Sequence, residues 1–98
     1  MSKQGRSKLL ESKYQKKILD FLKKIDGCYS VKTILSNKKG VPDILCCYWG
    51  KFYAFEVKTP DGKLLPHQKL QGELIRIAGG QWYVVTSVDD VKKALGVE

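Results

Sequence analysis

The sequence predicts an α/β domain around a mixed β-sheet, its elements in the order αβββαβ with a short C-terminal helix to follow. Three observations lead there. Apolar residues recur at helical spacing in two separate stretches. Between and after those stretches lie short runs rich in β-branched and aromatic residues, too short to be helices. Glycine-containing turn segments punctuate the chain at every junction but the last.

The first helix is expected over about Leu9 to Asp26, where Leu10, Tyr14, Ile18, Phe21, Leu22 and Ile25 form the apolar stripe and Gly27 supplies a stop. Tyr29 to Leu35 alternates weakly and is rich in β-branched residues, which reads as a strand, and Ser36-Asn37-Lys38-Lys39-Gly40 has turn chemistry. Asp43 to Tyr48 and Phe52 to Lys58 are two apolar, aromatic-rich runs around Gly50, the pattern of an antiparallel hairpin. Pro60 ends the second of these runs and Asp61-Gly62 favours a turn. Pro66 suits the first position of a second helix, whose Leu70, Leu74, Ile77 and Ala78 fall at i, i+4, i+7 and i+8 before Gly79-Gly80 terminates it. Gln81 to Thr86 reads as a buried strand, and Ser87 with Asp90 three residues on resembles a capping box for a last helix reaching Leu95.

At 98 residues the chain is expected to form one domain over residues 1–98, and at 43% apolar and 29% charged it is too hydrophobic for a disordered polyelectrolyte. A domain this small leaves apolar surface uncovered, so a partner subunit is expected. No apolar run approaches the roughly 20 residues of a membrane-spanning helix, and Met1 to Lys8 lacks an apolar signal core, so a cytoplasmic location is expected and no membrane partner. The three cysteines, Cys28, Cys46 and Cys47, make neither a disulfide framework nor a CxxC spacing and read as reduced packing residues.

The formal net charge is +8, and its placement is one-sided. Residues 1–39 hold 11 Lys or Arg and 3 acids, whereas residues 40–98 hold 7 of each. A one-sided positive potential suits a polyphosphate partner, because neutralising phosphates releases condensed counterions. A solubilising helix face would look similar, but an anionic membrane surface would call for an amphipathic anchor that is absent here. Lysine dominates over arginine, 16 to 2, which suits backbone contacts better than bidentate base readout. Lys13, Lys16 and Lys17 on the first helix, with Lys38 and Lys39 in the following loop, are the candidate nucleic-acid contacts.

If the hairpin turns on Trp49-Gly50, Tyr48 faces Lys51 and Asp43 lies across from Glu56. Residues opposite each other in an antiparallel pair project to one side with Cβ atoms about 5 Å apart, and Lys58, two along from Glu56, projects there too. Two carboxylates that close repel unless a cation or a proton sits between them. A hard divalent ion takes carboxylate oxygens and keeps its waters, so Asp43 and Glu56 with the carbonyl of Val57 would make a metal site. Lys58 would then handle a proton or stabilise charge on a phosphate in the transition state. The competing reading is that Lys58 merely neutralises Glu56 while Asp43 follows Pro42 in a turn; a one-residue slip in register would turn one strand's side chains over.

Pro42-Asp43, followed after 12 residues by Glu56-Val57-Lys58, resembles the motif of the PD-(D/E)XK nuclease superfamily. The wider series Gly40-Val41-Pro42-Asp43, Glu56-Val57-Lys58, Gln68, Gly79-Gly80 and a valine-rich strand is similar to the VRR-NUC family, and Glu11 fits that family's opening acidic position. The resemblance runs from about Glu11 to Leu95, as in the stand-alone phage members. It implies a restriction-endonuclease-like core and a Mg²⁺- or Mn²⁺-dependent, structure-specific DNA endonuclease. Asp43 and Glu56 become metal ligands with the Val57 carbonyl, Lys58 is catalytic, and Glu11 and Gln68 are auxiliary active-site positions. It also implies a homodimer cutting four-way (Holliday) junctions, in a bacterial host's cytoplasm if the chain is phage-encoded; family members fused to larger repair proteins act on flaps as monomers. His67 has no counterpart in the family pattern and reads as an ordinary helix-start residue, while Trp49, Phe52, Tyr53 and Trp82 read as core or dimer interface. Two other readings stand beside this one: a non-catalytic DNA-binding module of the same fold, and a flap- or duplex-directed restriction-like or archaeal-resolvase-like nuclease.

Overall fold

The computed structural model describes the backbone of residues 3–98 and the side chains of residues 9–98; the start of the N-terminal segment expected to lack a signal core lies outside the described residues. The order is α1 (Lys3–Lys24), β1 (Cys28–Lys32), β2 (Ile44–Tyr48), β3 (Lys51–Val57), α2 (Pro66–Ile77), β4 (Gln81–Val85) and α3 (Val88–Leu95). This is the expected α/β order. Among the described residues no helix is long and apolar enough to cross a membrane.

The strands form one sheet in the order β1-β2-β3-β4. The first three are antiparallel neighbours and β4 joins β3 in parallel, with α2 as the crossover. The β2–β3 hairpin turns on Trp49 and Gly50, both with positive φ (48° and 82°), the condition for a two-residue turn that matches strand twist. Tyr48 pairs with Lys51 and Ile44 with Phe55, which is the expected register.

Alternation along the strands gives the sheet two different faces. Ile44, Cys46, Tyr53, Phe55, Val57 and Val85 turn toward α1 and α3, where Ile18, Leu22, Val91 and Leu95 complete the core. α2 covers part of the other face, which carries Ala54, Glu56 and Trp82. Tyr53 and Trp82 are buried as expected, whereas Trp49 and Phe52 are exposed. The cysteines are free: Cys46 is buried among the core residues, and that burial pushes its thiol up to about 12, far from a reactive thiolate.

Three local features differ from the sequence reading. α1 begins at Lys3 rather than Leu9, because periodicity sees only the apolar stripe and the preceding residues are polar. β1 stops at Lys32 rather than Leu35: Thr33 N–H still donates to the Asp43 carbonyl at 2.8 Å, but beyond that bond the opposing chain leaves the sheet, because Gly40, at φ 87°, turns it against the His67 backbone of α2. The capping box of α3 is shifted, since Ser87 Oγ accepts from Asp90 N–H while Asp90 Oδ2 accepts from Thr86 N–H instead of closing on Ser87.

The orientation of α2 was not legible in its apolar stripe. Leu70, Leu74 and Ile77 are exposed, Ile77 by 83%, and the buried residue of the helix is Gly72. The Trp82 indole lies where a Gly72 side chain would be, with a built Cβ only 2.1 Å from the ring. Arg76 stacks over that ring at 5.2 Å, and its Nη2 donates to the Trp82 carbonyl at 2.8 Å. Seating the indole on glycine therefore rotates the leucines outward. Gly72→Ala is expected to cost about 2 kcal/mol by overpacking this seat, read as a lower midpoint in urea with an unchanged slope; an unchanged midpoint would show that α2 can shift freely.

Candidate active site

Asp43 sits immediately before β2, and its Oδ2 accepts from the Val57 N–H at 2.8 Å. That bond fixes the carboxylate against the end of β3, one step beyond the Ile44–Phe55 pair and directly across from Glu56. Glu56 lies on the face covered by α2 and is only 2% exposed. Lys58, the first residue after β3, is anchored by its own N–H to the Val85 carbonyl at 2.9 Å and is buried as well. Its Nζ stands 3.9 Å from Glu11 Oε1, contributed by α1.

Gln68 occupies the first turn of α2 and links that turn to the carboxylates. Its Oε1 accepts from the Leu65 N–H at 2.9 Å, and its Nε2 donates to Glu56 Oε2 at 3.4 Å. The helix start thus orients an amide that points at Glu56. The other oxygen, Glu56 Oε1, is buried with no hydrogen-bond partner.

A buried carboxylate in this position does not ionise readily. Burial is the main cause, and hydrogen bonding to Asp43 and the Asp43 charge add to it; Lys58 opposes the shift and Glu11 reinforces it, leaving Glu56 pushed up to about 9. Without a metal, Glu56 therefore keeps its proton at neutral pH.

The donor set fits a hard divalent cation. Two carboxylates face each other, one with an orphaned buried oxygen, and a second positive charge in place of the proton would satisfy both. Among the described residues no group of three or more His, Cys, Asp or Glu gathers, so a closed protein cage of the structural zinc type is not present. Mg²⁺ or Mn²⁺ held by one or two carboxylates, a backbone carbonyl and waters would be the natural occupant.

The chain therefore brings Glu11, Glu56 and Gln68 from α1, β3 and α2 together with Asp43 just before β2 and Lys58 just after β3. Val57 contributes the N–H that fixes Asp43. Lys38 and Lys39 are exposed in the loop that leads to Asp43, in a turn closed by the Lys38 N–H on Ser36 Oγ at 3.1 Å. Lys13, Lys16 and Lys17 are not part of this cluster. They lie on the side of α1 turned away from Glu11, and Lys16 pairs with Asp20 at 3.1 Å. His67 has a role that sequence reasoning missed: Gly40, at φ 87°, packs so closely on it that a Cβ would come 2.4 Å from the His67 carbonyl oxygen. Only a glycine with left-handed backbone lets the loop turn against α2 and present Pro42-Asp43. The motif glycine was visible in the sequence; its neighbour was not.

No protein-family model matches the sequence, and no curated protein matches it. Solved structures do. One, described as "VRR_NUC domain", superposes with a TM-score of 0.73 at 28% identity over 89% of this chain and 95% of that one. Another, described as "VRR_NUC domain protein", superposes at 0.71 with 17% identity over 90% of this chain and 86% of that one.

Proposed function

We propose that the chain, which shares its fold with VRR_NUC domain structures and carries Asp43, Glu56 and Lys58 at one end of its central hairpin, is a VRR-NUC-type nuclease: a metal-dependent, structure-specific DNA endonuclease acting on branched DNA, four-way junctions foremost. The observation that carries this reading is the half-buried Asp43 facing the buried Glu56 with its orphaned oxygen, the glutamate oriented by Gln68 and the pair flanked by Lys58. A surface that only binds DNA gains nothing from two acids held toward phosphates, which speaks against the non-catalytic module.

Asp43, Glu56 and the Val57 carbonyl would hold Mg²⁺ or Mn²⁺, which supplies Lewis-acid polarisation of the phosphate and a water more acidic than bulk. The chain's own residues do the remaining work. Val57 N–H fixes the Asp43 carboxylate, and Gln68 Nε2 keeps Glu56 turned toward it. Lys58, held near Glu11, places an ammonium where negative charge builds on the phosphoryl oxygens as water attacks phosphorus and the P–O bond to the leaving sugar breaks. Glu11 restrains the lysine without neutralising it fully at 3.9 Å. Lys38 and Lys39 hold the incoming backbone, and the lysines along α1 steer it from longer range.

Two copies would present two such sites, as paired nicks across a junction require. The exposed Leu70, Leu74 and Ile77 of α2 offer apolar surface for that association.

The test is cleavage of end-labelled four-way junction, flap and linear duplex with Mg²⁺, Mn²⁺ or EDTA, with binding followed across salt. Symmetric junction nicks that vanish in EDTA are expected. Affinity should fall by at least about tenfold between 50 and 200 mM salt, since the contacts are mostly to phosphates. Tight binding without cutting in either metal would leave only the binding module, and equal cutting of duplex and junction would remove branch specificity.

A further inference from the structure

We propose that the loop between β1 and β2 is a wedge that enters the base stack of DNA at a branch point, with Ile34 and Leu35 as the inserted side chains and Lys32, Lys38 and Lys39 holding the phosphates on either side. The inference rests on the DNA-nuclease reading above and adds to it the element that recognises the branch.

Ile34 and Leu35 are consecutive, apolar and almost wholly in water, 83% and 93% exposed. They stand beside the active site, because Thr33, the residue before them, donates its N–H to the carbonyl of Asp43 at 2.8 Å. The loop projects from a base fixed on both sides. Thr33 ties one end to Asp43, and Gly40 seats the other against the His67 backbone of α2. Between them the Ser36 Oγ contact with Lys38 N–H shapes the turn. Such a base transmits insertion at the tip to the position of the scissile phosphate.

The charge around the tip identifies the occupant. From Lys32 to Pro42 there are three lysines and no acid. A second copy of this chain would bring the same lysines and a net charge of +8, so two such tips repel. A polyanion whose interior is apolar and stacked satisfies both parts: phosphates for the lysines, base faces for isoleucine and leucine. Apolar side chains driven between base steps are an established way to kink a duplex, and the unstacking they require is least costly where stacking is already interrupted. A wedge of this kind favours branches over continuous duplex without reading any base edge.

The experiment places 2-aminopurine next to the branch of a four-way junction and follows its fluorescence on binding in EDTA, where no cleavage is needed. The wild-type protein is expected to raise the signal several-fold. Ile34→Ser/Leu35→Ser should lose at least about three quarters of that rise and cut junctions at least tenfold more slowly in Mg²⁺, with the same thermal midpoint, the same mass in solution and the same salt slope on linear duplex. Ile34→Met/Leu35→Met, which keeps apolar bulk, should restore both. An undiminished fluorescence rise in the serine variant would overturn the wedge while leaving the nuclease reading standing. A change in mass would overturn it too, by assigning the pair to contacts between copies. Absence of DNA binding by the wild type would instead overturn the nuclease reading, and the wedge with it.

Discussion

Lys58→Ala, Asp43→Ala and Glu56→Ala should each lower the cleavage rate by about a thousandfold or more, with junction binding changed only a few-fold. The size follows from what each removes. Lys58 is the cation whose charge acts on Glu56, and a preorganised charge at a developing oxyanion contributes on the order of 10² to 10³ in rate. On the proposed reading the carboxylates would be the donor set for a divalent ion, and losing one of only two would leave too few ligands to hold it. Single-turnover rates separate this from binding, which the lysines outside the cluster dominate. Because Asp43 also accepts the Val57 N–H, Asp43→Asn is the informative partner variant: it can keep that bond while losing the charge. Lys58→Met serves the same purpose by keeping the apolar stem. A rate within tenfold of wild type in either conservative variant would remove that residue from its assigned role.

Glu56→Gln should make the metal-free protein more stable at alkaline pH while abolishing cleavage. Glu56 is raised to about 9 in the folded chain, by burial first and then by its bond to Asp43, from an ordinary value of 4.5. Between those values the native state holds a proton that the unfolded chain has released, so stability falls as pH rises. The contribution is fully present below about pH 4.5 and is gone once pH has passed about 9. Glutamine carries no such ionisation. Its advantage should be small at pH 5 and on the order of a few kcal/mol at pH 9, which for a domain of this size is about 10 °C or more in Tm. Mg²⁺ should raise the wild-type Tm at pH 8, because it takes the place of the proton, and should do little for the variant. Parallel pH–Tm curves for the two proteins would show that Glu56 ionises freely in the fold.

Much of this site is local in sequence and therefore readable there. Asp43, Glu56 and Lys58 sit on one hairpin, and a two-residue turn at Trp49-Gly50 converts sequence spacing into register, so their convergence followed from strand alternation alone. Gly40 and Gln68 were legible only as positions. That Gly40 packs on His67 and that Gln68 bridges Leu65 to Glu56 depends on where α2 lies over the sheet, and no local pattern encodes that. The stripe Leu70, Leu74 and Ile77 correctly marked a helix but not its buried face, because periodicity measures spacing and not which side meets the sheet.

By itself, then, the sequence determined the order of the elements, the hairpin register, the identity of the carboxylates and the lysine, and the basic first two fifths, all consequences of spacing, turn chemistry and charge along the chain. Only the tertiary structure decided how far Glu56 is buried, which of its oxygens is left without a partner, that Glu11 reaches Lys58 from α1, and that Ile34 and Leu35 stand in water at the mouth of the site. Burial and long-range contact depend on which surfaces pack together, and here the glycine seat for Trp82 and the close approach of Gly40 to His67 set how α2 and the β1–β2 loop lie on the sheet.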